Sequence, residues 1–331
     1  MQMKIKNLTL LFFSFFLSPM RETSAQVWPG PHPLLSSRIK ANIESHIASQ
    51  VDTLATKFGY EKAELEFGIP LYRGKDWLTA TGNTPLIGIT LQGAGAIMKP
   101  EGGFLDSDKL LRARLGSNFI YAKGTRNLFM ANIQGIVADE LNSFSLDGLY
   151  INGSAFWRHR QNDQFGWTLG LTYTSVYAYN KLLPVIGFSY RPTKEDLISI
   201  LLPITIQYTH FFNRATALSA TIKPNGGFYN MNNEDNDTIL MLYKNSTFRH
   251  RNFLFSINLN HKFSYQFSIQ PEIGLENNTE LFVDDFKFQA SSSVYVRIAF
   301  RYKFGRRANI APILDFDPAD FTTADPEIPE K

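Results

Sequence analysis

The chain has no cysteine. That excludes a disulfide framework, a thiolate metal site and a cysteine nucleophile, and it rules out the cysteine-linked lipid of bacterial lipoproteins. No surplus of one charge is present either: 33 Lys and Arg stand against 30 Asp and Glu, a formal net of +3. Such balance gives no electrostatic case for nucleic acid as a partner. No Pro/Gly/Ser-rich linker or charge run divides the middle of the chain, so one large domain fits better than two. The early apolar run Leu8–Leu17 is about half the ~20 residues that a spanning helix needs, and Pro19, Arg21 and Glu22 end it.

What that run does match is an export signal. Lys4 and Lys6 give a positive start, Leu8–Leu17 the apolar centre, and Thr23-Ser24-Ala25 a small-residue cleavage site. Residues 1–25 are therefore expected to be a cleaved signal peptide, with the mature chain starting near Gln26.

The chain is rich in aromatics, with 28 Phe and 14 Tyr. A membrane barrel uses them on its lipid face and in girdles at the two membrane interfaces. From Ala63 to Phe304 the dominant pattern is period 2, which sends alternate side chains to opposite faces of a sheet. Val294, Val296, Ile298, Phe300, Tyr302 and Phe304 alternate with Tyr295, Arg297, Ala299, Arg301 and Lys303. Phe263, Tyr265, Phe267, Ile269, Pro271, Ile273 and Leu275 alternate with Ser264, Gln266, Ser268, Gln270, Glu272, Gly274 and Glu276. Such segments are long for a globular strand and close to the ~9–11 residues that cross a bilayer as a tilted strand.

Further segments read at 63–72, 84–98, 110–122, 128–138, 146–159, 165–177, 183–190, 197–210, 216–228, 238–244, 252–261 and 281–289. Some are expected to be halves of one strand or ends of long hairpins. The expectation is an all-β, antiparallel transmembrane β-barrel of about 12 strands, with any even number from about 10 to 14 allowed. Short polar stretches at 161–163, 191–196 and 213–214 read as hairpin turns, and 229–237 as an extracellular loop. A soluble sandwich shares the period; strand length, aromatic load and the export signal favour the barrel.

The flanks read differently. Residues 26–62 form an N-terminal extension. Within 36–58, Ile39, Ile43, Ile47, Val51 and Leu54 recur at helical spacing behind Ser36 and Ser37 as N-caps, which predicts either a short amphipathic helix or a plain leader. The barrel is assigned to 63–304. Residues 305–331, with four prolines and many acids, read as an extended periplasmic tail.

The stretch Leu183–Leu197, with Leu202-Pro203, Thr209–Asn213 and Asn225–Tyr229, resembles an outer-membrane barrel family of Bacteroidota known as a domain of unknown function. The likeness is carried by 145–230. It implies a single outer-membrane barrel domain and supplies no reaction, ligand or catalytic residue.

Chemistry is sparse. If the apolar face meets lipid, the lumen receives a ladder of opposite charges: Glu272, Glu276, Asp285, Lys287, Arg297, Arg301 and Lys303. These either satisfy one another in a narrow interior or form a selective constriction for a charged or sugar-like solute. Arg112 and Arg114 share a strand face, and Arg158, His159 and Arg160 cluster at a strand end. Both groups read as lumen or membrane-interface cations, with lipopolysaccharide phosphate as one contact.

The histidines make no His-Glu-x-x-His motif, Gly187-Phe-Ser-Tyr-Arg191 lacks the closing glycine of a nucleophile elbow, and Gly93-Ala-Gly95 lacks its third glycine. His159 and His210 are the only catalytic candidates, for a lipid hydrolase or acyltransferase. Asn232–Asp237 has the oxygen ligands for calcium without the spacing of a calcium loop. No cofactor, metal or catalytic residue is assigned. The expected partners are outer-membrane lipid and lipopolysaccharide, a small solute and a periplasmic partner of the tail. The function reads as a passive pore or, alternatively, a non-conducting structural or assembly barrel.

Overall fold

The computed structural model describes residues 37–304, apart from 53, 55, 74–85, 106–108, 124–126, 142–148, 163, 176–179, 214, 232–245 and 265. The proposed signal peptide, the tail, the segment 238–244 and the acidic loop 232–237 lie outside the described residues.

All regular structure described is β. In chain order the strands are β1 (Ser37–Gln50), β2 (Lys57–Arg73), β3 (Leu86–Glu101), β4 (Leu110–Lys123), β5 (Asn127–Glu140), β6 (Leu149–Arg160), β7 (Phe165–Thr174) and β8 (Lys181–Tyr190). They continue with β9 (Asp196–Leu202), β10 (Thr205–Phe211), β11 (Thr216–Met231), β12 (Ser246–Lys262), β13 (Phe267–Val283), β14 (Phe286–Ala290) and β15 (Ser293–Phe304). Each strand pairs antiparallel with its sequence neighbour from β1 to β13. β1 then pairs with β15 and β15 with β13, and the ring is closed.

β14 and β15 hold one register against β13, with Thr279 opposite Ala290 and Glu276 opposite Ser293, and Ser291 N–H still donates to Gln50 O of β1. They are two pieces of a single wall strand. The wall therefore has 14 strands rather than 12.

The barrel is inside-out relative to a soluble protein. On β12, Phe253, Phe255, Ile257 and Leu259 are exposed, while Asn252, Leu254, Ser256 and Asn260, which alternate with them, are buried. On β15, Val296 and Ile298 point out and Tyr295 and Ala299 point in. A closed ring leaves no unpaired backbone edge, and an apolar outer face matches hydrocarbon; together they make this a transmembrane barrel.

Two expectations fail. Residues 37–50 are a strand, and the barrel starts at Ser37 rather than at 63. Ile39, Ile43 and Ile47 stand four apart, a spacing that keeps side chains on one face of a strand as well as of a helix. The residues between them decide: Arg38, Asn42 and His46 are buried inward, while Ile43 and Ile47 are exposed. Second, 197–210 is not one strand but the β9–β10 hairpin, turned at Pro203 and Ile204. Residues 281–289 are one of the hairpin ends allowed for, the apex of β13–β14.

The wall is uneven in height. We call the rim where Ser37 lies opposite Phe304 the base. β2, β12 and β13 have 17 residues each, about 56 Å of chain at ~3.3 Å per residue, whereas β9 and β10 have seven, about 23 Å. Outward aromatics, among them Phe129, Trp157, Phe188, Tyr190, Tyr208 and Phe212, form a belt near the base.

Candidate functional site

Alternation along the tall wall delivers a layer of charge to the interior. β1 contributes Lys40, Glu44 and His46, β2 Lys62, Glu64 and Glu66, β4 Arg112 and Arg114, β11 Lys223, β13 Glu272 and Glu276, and β15 Arg297. Arg114 Nη2 reaches Glu64 at 2.9 Å and Glu66 at 3.0 Å. Lys62 Nζ lies 3.2 Å from Glu64 and 3.5 Å from Glu44, and Lys40 Nζ 3.8 Å from Glu66. Arg297 pairs with Glu272 and lies 3.9 Å from Glu44; Lys223 crosses over β12 to within 3.9 Å of Glu272. Tyr295 donates to Glu272 at 2.5 Å.

Glu276 anchors the neighbouring node. It accepts from Asn252 at 2.8 Å and Ser293 at 2.9 Å, and lies 2.8 Å from His46 Nδ1. His46 is sandwiched between Tyr60 and Tyr295, ring centroids 3.9 and 5.0 Å away.

The two signs are not equally placed. The side chains of Lys40, Lys62, Arg114, Lys223 and Arg297 are 19–22% exposed, those of the five glutamates only 1–12%. A carboxylate on a short stem is wrapped by its donors near the wall, and the longer cations reach past it into the interior. The lumen therefore presents positive charge backed by buried negative charge.

Above this layer the lumen is roofed by an apolar core. Val51, Phe58, Met98, Phe104, Leu110, Ile136, Tyr229, Phe248 and Leu281 are all buried in it. Its contacts join strands that are not neighbours in the wall: Phe58 of β2 meets Phe248 of β12 at 5.7 Å, and Tyr229 of β11 reaches Met98 of β3, nearly opposite it in the ring. Phe228, on the outward side of β11 by alternation, packs edge-on against the inward-facing Tyr150 of β6 at 5.6 Å. Above its pairing with β10, β11 has therefore folded inside the ring.

A phase slip builds the roof. Glu276 and Thr279 both face inward, three residues apart, as do Ser293 and Ala290 on the partner strand. Asn278, with φ of 53°, takes up the extra residue, and the β12–β13 and β1–β2 registers shift nearby. One inserted residue swaps the faces of a strand beyond it.

The slip corrects the charge ladder. Asp285 is exposed in the far turn, and Lys287 is exposed and pairs with Glu280 at 2.7 Å, beside Arg251. Neither faces the lumen, because simple alternation was carried across the slip. Glu272, Glu276, Arg297, Arg301 and Lys303 do face inward, the last two toward the base. Arg112 and Arg114 face the lumen rather than a membrane interface, Arg112 half-buried beside Tyr150 and Tyr229. Arg158 is buried near the base and donates to Ser189 at 2.6 Å, while Arg160 reaches the turn carbonyl of Asn162.

Sequence reasoning missed Lys40, Glu44, His46, Lys62, Glu64, Glu66 and Lys223. Strict alternation in Arg38-x-Lys40-x-Asn42-x-Glu44-x-His46 carried the signal, masked by the helix-compatible isoleucines. The histidine candidates hold no catalytic arrangement. His159 contacts Asn127, and His210 contacts Asp196, whose other oxygen accepts from Thr193; among the described residues neither imidazole has a hydroxyl as a hydrogen-bond partner. Among the described residues no group of three or more His, Asp or Glu is placed to hold a metal ion.

A family profile described as a domain of unknown function, DUF6268, matches residues 56–303. No curated protein was found to match the chain. Among solved structures, the COG4313 outer membrane channel from Pseudomonas putida F1 aligns with a TM-score of 0.46 at 10% identity, over 84% of this chain and 100% of that one. The KdgM porin aligns with a TM-score of 0.38 at 9% identity, over 81% of this chain and 99% of that one.

Proposed function

We propose that this chain, which belongs to the domain-of-unknown-function family DUF6268, is an outer-membrane barrel that passes small anionic solutes by diffusion. Its base faces the periplasm, in keeping with mostly short connections there and longer ones at the far end. The observation that carries the reading is the displacement of the two charges in the lumen. Five cations stand forward into partly solvated space and five carboxylates stand behind them. A ring of exposed cations over shielded acids attracts anions and repels cations in a confined low-dielectric path.

A second reading is favoured by the roof. Tyr229 of β11 and Met98 of β3, nearly opposite in the ring, touch across the far half of the lumen, which suits a structural barrel that conducts nothing.

Planar-bilayer recording of the refolded chain separates the two. Stable conducting steps whose reversal potential favours chloride over potassium, and which lose that preference in Arg114→Ala or Arg297→Ala, support the pore. A folded, heat-modifiable barrel without steps supports the structural reading.

A further inference from the structure

Arg112 differs from the other cations of the lumen layer. Lys40, Lys62, Arg114, Lys223 and Arg297 each have a glutamate as ion-pair partner. Arg112 forms no ion pair with any described residue, and its buried Nε has no hydrogen-bond acceptor among them.

The strand register explains the difference. Arg112 of β4 lies between Ala96 of β3 and Ala138 of β5, and neither of those side chains can accept a hydrogen bond. The acid in line with it is Glu64, one strand further on beyond Ala96. Both oxygens of Glu64 are taken, Oε1 by Arg114 at 2.9 Å and Oε2 by Lys62 at 3.2 Å.

Tyr150 of β6 and Tyr229 of β11 stand beside the guanidinium. Tyr150 is 9% exposed, and its hydroxyl has no acceptor among the described residues; that of Tyr229 meets the Met98 sulfur at 3.9 Å. Arg112 cannot receive the Tyr150 proton, because a guanidinium only donates. Two kinds of donor therefore stand side by side, with a positive charge that no neighbouring acid offsets.

The approach is from the base. Along β4, Arg112 sits between Arg114 of the charge layer and Leu110 of the roof. It is half-buried rather than covered, and Arg114, two residues nearer the base, is 21% exposed.

We propose that Arg112 and Tyr150 form a binding site for the carboxylate group of a small solute. The planar guanidinium offers parallel N–H donors that fit the two oxygens of a carboxylate, and the Tyr150 hydroxyl supplies a further bond. One unpaired positive charge matches a singly charged carboxylate better than a phosphate dianion, and chloride can use the charge but not the fork. The site rests on the reading of the lumen as attracting anions, but binding needs no current.

The test is a titration of the refolded full chain in micelles with trifluoroacetate at constant ionic strength, followed by its fluorine NMR signal. The expected result is a saturable change that acetate reverses and chloride does not. Binding should weaken about tenfold or more in Arg112→Gln and about threefold in Tyr150→Phe, which removes only the hydroxyl. A change that does not saturate, that is equal in Arg112→Gln, or that chloride reverses as readily as acetate overturns the site. If Arg112→Gln does not reach the heat-modifiable form, Tyr150→Phe gives the reading, and binding equal to that of the unsubstituted chain overturns the site. A barrel that binds without conducting keeps this site and loses the pore; one that conducts chloride without saturable carboxylate binding does the reverse.

Discussion

The tall and short sides of this barrel are built from the same alternating grammar and end in different states. On the tall side, β11 to β15 and β1 to β6 run to 17 residues and project far beyond what a bilayer requires, and their surplus length folds inward as a roof over a charged layer. On the short side, the β9–β10 strands have seven residues each, fewer than the ~9–11 that cross a bilayer, and the interior holds two small apolar clusters of three buried residues each. Strand length thus sets what fills a barrel of fixed strand number. Long strands supply enough apolar surface to build a core inside the ring, and short ones leave Lys181–Val185 of β8 with no strand partner on the β9 side among the described residues.

Six substitutions sharpen or break that contrast. Glu272→Ala on the tall side should have the largest effect, about 3–5 kcal/mol, because it strands Arg297 and Lys223 in a buried layer without their acceptor. Urea unfolding in lipid vesicles measures it; a loss no larger than a surface substitution would show the layer to be solvated and the contrast unfounded. Phe58→Ala in the roof should cost about 3–5 kcal/mol, against about 2 kcal/mol for Leu201→Ala in the smaller cluster. The same unfolding series gives the ratio, and equal costs would mean that the roof packs no better than the short side.

Facing comes next. Ile298→Arg on the lipid side should cost about 2–4 kcal/mol near the midplane. Its neighbour Ala299, 1% exposed inside, should cost about 1–3 kcal/mol as Ala299→Arg through overpacking. Folding yield into thick and thin bilayers separates them, since only the lipid-facing variant should recover as the bilayer thins. The smallest effect belongs to Pro184→Thr, within about 0.5 kcal/mol, because the N–H it restores faces a side without a ladder. A clear stabilisation by hydrogen exchange at residues 182–186 would mean that this edge of β8 is paired.

Much of the site was legible where alternation runs unbroken. Glu272, Glu276 and Arg297 were placed on one face from β13 and β15 alone, and Arg112 and Arg114 on one face of β4. The rest was hidden for nameable reasons. Isoleucines four apart in β1 satisfy both the helical and the strand period, which concealed Lys40, Glu44 and His46. A turn made by Pro203 and Ile204 is too short to interrupt the apolar run 197–210, so one strand was read for two. Lys223 sits in a segment whose partner lies across another strand, a relation with no trace in local pattern.

By itself the sequence determined the all-β class, the outward apolar face and the absence of any cysteine chemistry, because each depends on residue identity or on neighbours two apart. Tertiary structure alone decided the strand number, the roof, the exclusion of Asp285 and Lys287 from the lumen, and where the β8–β9 pairing stops. Those depend on the register between strands far apart in the chain, as where the one extra residue at Asn278 turns the rest of β13 to the other face.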